Sequence, residues 1–143
     1  MKEVNKDELF KLKGLFGTII KETNVPITAD EAVIKYHRGV EGGYLKVLTD
    51  NLEDPKHCLI LSCLPGMVHS GFLCIVNLIY SLPQHRNQKM VDEMHAIIDD
   101  FAKAHKCEQI LGSAWKYRGS RGIDSMWLGK GYEIQEVVYV KNV

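Results

Sequence analysis

The sequence predicts a layered α/β protein built as a single domain over residues 1–143, on three observations. Strand-like and helix-like runs alternate along the second half in the order strand, helix, strand, helix, strand, the rhythm of a sheet covered by helices. The run Phe72 to Leu82 is continuously apolar without the alternation of a half-exposed strand, which places it mid-sheet, where the core should be deepest. Finally, 143 residues of 45% hydrophobic and 25% charged content suffice for one core of ordinary depth and argue against disorder.

Each element follows from its own spacing. Asn5 to Glu22 places Leu9, Leu12, Phe16, Ile19 and Ile20 three and four apart, an amphipathic helix. Gly14 and Gly17 weaken it by roughly 1 kcal/mol each relative to alanine, while permitting a close neighbour. Asn24 and Pro26 then interrupt the chain. Thr28 or Asp30 caps a second helix that runs to about Arg38 and is ended by Gly39, Gly42 and Gly43. Tyr44, Leu45, Val47 and Leu48 form a strand that stops at the turn formers Thr49, Asp50 and Asn51. His57 to Leu64 is apolar enough to be buried on both faces, and Pro65 to Gly71 supplies the turn into Phe72–Leu82. After Pro83, the segment Asn87 to His105 gathers Met90, Val91, Met94, Ile97, Ile98, Phe101 and Ala104 on one helical face. Gln109 to Leu111 begins another strand, Ser120 to Lys130 is a short helix closed by Gly131, and Tyr132 to Val140 is the last strand.

Charge and cysteine usage restrict the partners. Lys plus Arg and Asp plus Glu both number 18, so no global positive field draws in a polyanion, which argues against nucleic acid as a partner. Met1 to Lys13 alternates charges instead of placing a basic region before an apolar core, so the expected location is cytoplasmic. No formal charge falls between Lys56 and Arg86, but Pro65, Gly66, Gly71 and Pro83 cut that stretch below the roughly 20 apolar residues of a membrane helix. Cys58, Cys63, Cys74 and Cys107 lack a CxxC pair and read as buried free thiols rather than disulfide or zinc ligands. His85, His95 and His105 stand ten residues apart, about 15 Å along a helix, too far to share one ion, and no metal is expected.

Two stretches carry local chemistry. Phe72–Leu82 runs through Pro83-Gln84-His85-Arg86-Asn87-Gln88-Lys89 into the long helix. Such a turn aims unpaired N–H groups and the positive helix end at one spot, which suits a phosphate, and Arg86 and Lys89 add two charges. A plain connection with solvated basic residues remains open on this evidence. The second stretch, Trp115-Lys116-Tyr117-Arg118-Gly119-Ser120-Arg121, interleaves three positive charges with two aromatics. It suits an adenosine phosphate, an acidic partner or a stacked single strand, although a basic surface loop before a helix is the preferred reading.

The order of segments, with Leu78-Ile79-Tyr80-Ser81-Leu82-Pro83-Gln84-His85-Arg86 and Met126-Trp127-Leu128-Gly129-Lys130-Gly131-Tyr132, resembles the GNAT superfamily of acetyl-CoA-dependent N-acetyltransferases. The first motif is similar to the family's strand leading into a Pro-x-x-Arg turn, the second to its closing helix and Gly-Phe. The resemblance implies a mixed central sheet flanked by helices, with a brief first strand at Lys2 to Val4. It further implies an N-acyltransferase with acetyl-CoA as co-substrate and an amine acceptor, on a small molecule or a protein, arriving from the opposite side. The coenzyme's pyrophosphate would rest on Arg86, Asn87, Gln88, Lys89, Met90 and Val91. Two of these, Lys89 and Val91, stand where the family has glycines that let the backbone approach phosphates. The backbone of Ile79, Tyr80 and Ser81 would pair with the pantetheine arm like an added strand.

The same resemblance leaves two catalytic roles unassigned. The family's strand glutamate, which collects the proton of an ammonium whose removal near pH 7.4 costs roughly 4 kcal/mol, has no counterpart here. The strand offers Asn77, which orients a water but is no base. The family's thiolate-protonating tyrosine falls on Trp127, an indole donor only. Tyr80, Tyr117 and Tyr132 as acids, and His69, His85 and Asp124 as bases, are substitutes of which none stands out. An α-amine acceptor would need far less help than a lysine, and proximity in a ternary complex would carry most of the rate. The competing expectation is a GNAT-fold binding or assembly module that has lost turnover, of the kind small phage-encoded GNAT-like proteins exemplify. A homodimer is compatible with either.

Overall fold

In the computed structural model, the described residues are 1–66, 71–113, 121–134, 141 and 143. Strands β1 (Lys2–Glu3), β2 (Lys46–Thr49), β3 (His57–Pro65), β4 (Phe72–Ser81) and β5 (Cys107–Leu111) form one sheet in chain order. The first four pair antiparallel and β4 pairs parallel with β5, so the sheet is mixed. A parallel neighbour needs a crossover, and α3 (Gln88–Ala104) supplies it. Helices α1 (Lys13–Thr23) and α2 (Ala29–Glu41) cover one face, and α3 and α4 (Arg121–Gly129) the other.

Each face has its own core. Leu9, Leu12, Leu15, Phe16 and Ile19 pack with Val47, Cys58, Ile60 and Tyr80 under α1 and α2. Leu59, Leu61, Cys74 and Val76 meet Met94, Ile98 and Trp127 under α3 and α4. Period-two alternation along β3 divides the strand between the two cores, Cys58 and Ile60 to one and Leu59 and Leu61 to the other.

Several boundaries differ from the sequence reading for physical reasons. The first helix opens as a 3-10 segment, Lys6–Leu12, before α1. Asn5 caps it, its Oδ1 accepting from the N–H groups of Asp7 and Glu8, and the three-residue repeat stacks Leu9, Leu12 and Leu15 on one side. Gly14 has no atom near the place of its absent side chain, so it permits no close approach, and Gly17 makes only ordinary contact with Ala29. Helix α2 is capped by Thr28 and runs past Gly39 to Glu41. Gly39 is a packing position, because a Cβ there would lie 2.1 Å from Leu45 Cδ1. Tyr44 and Leu45 therefore precede β2 instead of opening it.

The deepest strand is β3, buried from His57 to Ser62, whereas β4 exposes Phe72 and Asn77. β3 has a strand on both sides and helices on both faces, while β4, among the described residues, pairs with β5 only from Phe72 to Ile75. The expected last strand is not continued by Tyr132–Ile134, which carry no regular structure, and residues 135–140 lie outside the described residues. The aromatic basic stretch at 115–120 also lies outside them. Gly131 closes the segment after α4 with a positive φ of 84°, as its place predicts.

Candidate functional site

β4 and β5 part company. They pair from Phe72 opposite Cys107 to Ile75 opposite Leu111, and beyond Ile75 the outer edge of β4 has no strand beside it among the described residues. Two residues past that last pair stands Asn77. Register jumps there, Ile60 facing Leu78 and Leu61 facing Val76, so Asn77 is an extra residue in β4. Such a bulge bends its strand and sharpens its twist. The Asn77 side chain holds the distortion, Nδ2 donating to Ser62 Oγ at 2.9 Å and to the Ile75 carbonyl at 3.3 Å. β5 ends at Leu111, and the Trp127 ring packs against the next residue, Gly112, where a Cβ would come within 2.5 Å of it. The part of β4 past its pairing with β5 is Val76–Ser81, the segment that contains Ile79, Tyr80 and Ser81.

The same segment leads into the turn before α3. Leu82 N–H donates to the Lys56 carbonyl at 2.9 Å, and His85 N–H to Leu82 at 2.8 Å, closing the short 3-10 turn Pro83–His85. Asn87 caps α3, its Oδ1 accepting from Met90 N–H at 2.9 Å. The N–H groups of Gln88 and Lys89, at the first two helical positions, have no acceptor within the helix. Lys89 is exposed and makes no ion pair among the described residues. Of the remaining predicted phosphate contacts, Met90 packs into the α3 core and Val91 is half-buried.

Arg86 takes a different course from the one its sequence position suggests. Its Nε donates to the Ser81 carbonyl at 3.0 Å, and its Nη2 to Glu22 Oε1 at 2.7 Å. The guanidinium carbon sits 5.7 Å from the centre of the Tyr80 ring. Tyr80, buried on the α1 face, donates its hydroxyl to the other Glu22 oxygen. The structure thus brings Tyr80, Ser81 and Arg86 together around a carboxylate at the end of α1. Ser81 is held from the opposite face as well, its Oγ 2.7 Å from His57 Nδ1. Burial pushes His57 below its ordinary value of 6.5 despite the nearby Asp50 carboxylate, so the ring is neutral at pH 7. Asp50 itself is buried enough to disfavour its charge, yet the N–H groups of Lys56 and His57 outweigh that and lower its pKa.

The other named candidates lie elsewhere. Trp127 is buried and spends its indole N–H on the Ser113 carbonyl at 3.2 Å. Tyr132 packs edge-on against Trp127 and His95, with ring centres 4.7 and 6.0 Å away, and burial pushes its phenol up to about 12, unsuited to releasing a proton near neutrality. His85 stands edge-on to His57 at 6.5 Å, and Asp124 is exposed on α4. His69 and Tyr117 lie outside the described residues. All four cysteines are free thiols; burial pushes Cys58 and Cys74 up to about 12 and Cys107 up to about 11. No group of three metal-ligating side chains occurs among the described residues. No described helix is long and apolar enough to cross a membrane.

Sequence reasoning missed Glu22, Ser62 and His57. Glu22 stands 58 residues from Tyr80 and 64 from Arg86, and its place at the end of an amphipathic helix gave no sign of the pairing.

No protein-family model matches the sequence, and no curated protein does. Solved structures do. A probable acetyltransferase superposes with a TM-score of 0.79 at 12% identity, over 99% of this chain and 96% of that one. A protein of Clostridium acetobutylicum, named a predicted acetyltransferase and solved with acetyl-CoA, gives 0.78 at 9% identity over 99% and 94%. A ribosomal-protein-alanine N-acetyltransferase of Brucella melitensis gives 0.75 at 12% identity over 99% and 96%. At such identities the likeness speaks for the fold: a mixed sheet flanked by helices, as the resemblance in sequence implied, is the GNAT fold.

Proposed function

We propose that this chain is an acyltransferase that uses acetyl-CoA to acylate an amine. The observation that carries the proposal is the course of β4 beyond Ile75, which has no strand beside it among the described residues and leads through the turn Pro83–His85 to the amino terminus of α3. An extended pantetheine arm satisfies such an edge as an added strand would, at the backbone of Ile79, Tyr80 and Ser81. The N–H groups of Gln88 and Lys89, the Lys89 ammonium and the helix dipole then meet the pyrophosphate, with Asn87 shaping the turn. The bulge at Asn77 sits just past the end of the β4–β5 pairing and holds a side-chain amide suited to orienting the acceptor or a water. Solved neighbours named as acetyltransferases, one of them with acetyl-CoA, support the reading.

Catalysis in this reading rests on holding thioester and amine together rather than on a strong acid and base. β4 carries no carboxylate, and the Trp127 donor is committed to Ser113. Those two facts favour an acceptor whose amine is neutral without help, and they also sustain a second reading, a coenzyme-binding module without turnover. Both are tested by one pair of measurements. At 100 times its dissociation constant, acetyl-CoA should stabilise the fold by about 2.7 kcal/mol. Release of free coenzyme thiol in the presence of a panel of α-amino and lysine peptides then marks transfer. A thermal shift without thiol release identifies the binding module, and no shift at millimolar acetyl-CoA rejects both.

A further inference from the structure

We propose that Glu22 is an internal stand-in for phosphate on Arg86, and that coenzyme binding exchanges it. The inference rests on the acetyl-CoA reading above and deepens it. Arg86 leaves the chain one residue before the cap of α3, yet its guanidinium is turned back across the Tyr80 ring to the end of α1. There it meets a carboxylate oxygen at 2.7 Å, and its Nε is anchored on the Ser81 carbonyl at 3.0 Å, within the segment assigned to pantetheine. A carboxylate and a phosphate offer the same fork of acceptor oxygens to a guanidinium. The pair is half-open to solvent on the arginine side, so exchanging one anion for the other costs little.

The exchange has a directional consequence. Glu22 has a second tether, the Tyr80 hydroxyl, which holds the carboxylate in place when Arg86 departs. Tyr80 faces α1, the side of the sheet opposite α3. Coenzyme phosphate on Arg86 therefore leaves an unneutralised carboxylate on the face from which the acceptor comes, where an ammonium group is attracted.

Titration calorimetry with coenzyme A, and with pantetheine as the phosphate-free control, tests this on four proteins: the natural chain, Glu22→Gln, Arg86→Ala and the double variant. Glutamine keeps an acceptor for the Tyr80 hydroxyl and removes the competing charge. Glu22→Gln should bind coenzyme A about three- to fivefold more tightly, the worth of a partly exposed ion pair, with pantetheine unchanged. In the Arg86→Ala background the same substitution should do nothing. Equal or weaker coenzyme A binding by Glu22→Gln, while the natural chain binds, would overturn the exchange and leave the coenzyme reading intact. Failure of both the natural chain and Glu22→Gln to bind at millimolar coenzyme A would overturn the coenzyme reading and the exchange with it.

Discussion

The two halves of β4 differ in composition and in fate: Phe72–Ile75 is wholly apolar, whereas Val76–Ser81 contains Asn77 and Ser81. Phe72–Ile75 is bonded to β3 on one side and β5 on the other; Val76–Ser81 keeps only β3 among the described residues. Around the closed half the neighbours are mostly apolar, whereas the open half is tied by polar contacts: Asn77 to Ser62, Ser81 to His57, Tyr80 to Glu22 and Arg86. A strand within a sheet satisfies its backbone through its neighbours; one that must leave an edge for a ligand needs side chains to hold its course. One extra residue at Asn77 separates the two regimes.

The largest expected effect tests whether the halves differ in packing. Leu61 faces Val76 at the division, has no exposure and belongs to the core under α3. Leu61→Ala should cost about 2–5 kcal/mol, read from the urea midpoint at constant slope. Ile79→Ala, at a half-buried position of the open half, should cost clearly less. Equal losses would mean that the open half is packed like a closed strand, and the comparison would fail.

Next comes the contact just past the end of β5. A methyl group at Gly112 would come within 2.5 Å of the Trp127 ring, a rigid neighbour that is itself buried. Gly112→Ala should therefore destabilise by about 1–3 kcal/mol through overpacking. Reduced coenzyme binding should accompany it, since the shift falls where the β4–β5 pairing ends. An unchanged melting temperature would show that α4 yields freely and does not hold the end of β5.

Removing the bulge tether should cost less. Asn77→Ala loses the bond to Ser62 and should destabilise by about 1 kcal/mol, with a proportionally larger loss in acetyl-CoA affinity if the bulge shapes the site. A loss of stability alone would reduce Asn77 to a structural residue.

How much of this was legible in the sequence follows the range of the interactions. A long periodic segment announced α3 and two continuous apolar runs announced the central strands, because burial on one face imposes a period and burial on both removes it. Thr28 or Asp30 announced the start of α2, and the structure decides for Thr28, whose side chain and Glu31 form a capping box. Gly39 misled, because a glycine that admits Leu45 looks the same in sequence as one that ends a helix. The 3-10 opening of the first helix was invisible because Leu9, Leu12 and Leu15 satisfy either period. For the site, the turn from β4 into α3 could be read, since a strand, a proline and a helix start are local features. The bulge at Asn77 could not, because it is defined by register against β3. Nor could the Glu22 pairing, which joins residues that approach only after the helix has docked on the sheet.

The smallest effect is the pH dependence, and it too divides between regions. His57 lies under the open half beside Ser81, and His95 lies under α4 against Trp127. Both are pushed below 6.5, each by burial first: His85 and Lys56 add to this for His57 while Asp50 opposes, and Lys130 adds for His95 while Asp99 and Asp92 oppose. The folded state therefore holds both rings neutral where the unfolded chain has begun to take up protons. Between the lowered folded values and 6.5 the unfolded state binds more protons, so stability rises with pH there and falls as the pH drops from 7. Asp50 acts in a separate window: its lowered value lends stability above 3.8 that is lost as pH falls through its folded value. Melting temperatures of His57→Gln and His95→Gln between pH 7 and 5 should each show a shallower fall than the natural chain. Only the first should also alter how coenzyme A binding changes over that range, since only His57 is bonded to the open half of β4. The same binding profile in both variants would place the two histidines in one coupled core and remove the distinction between the halves.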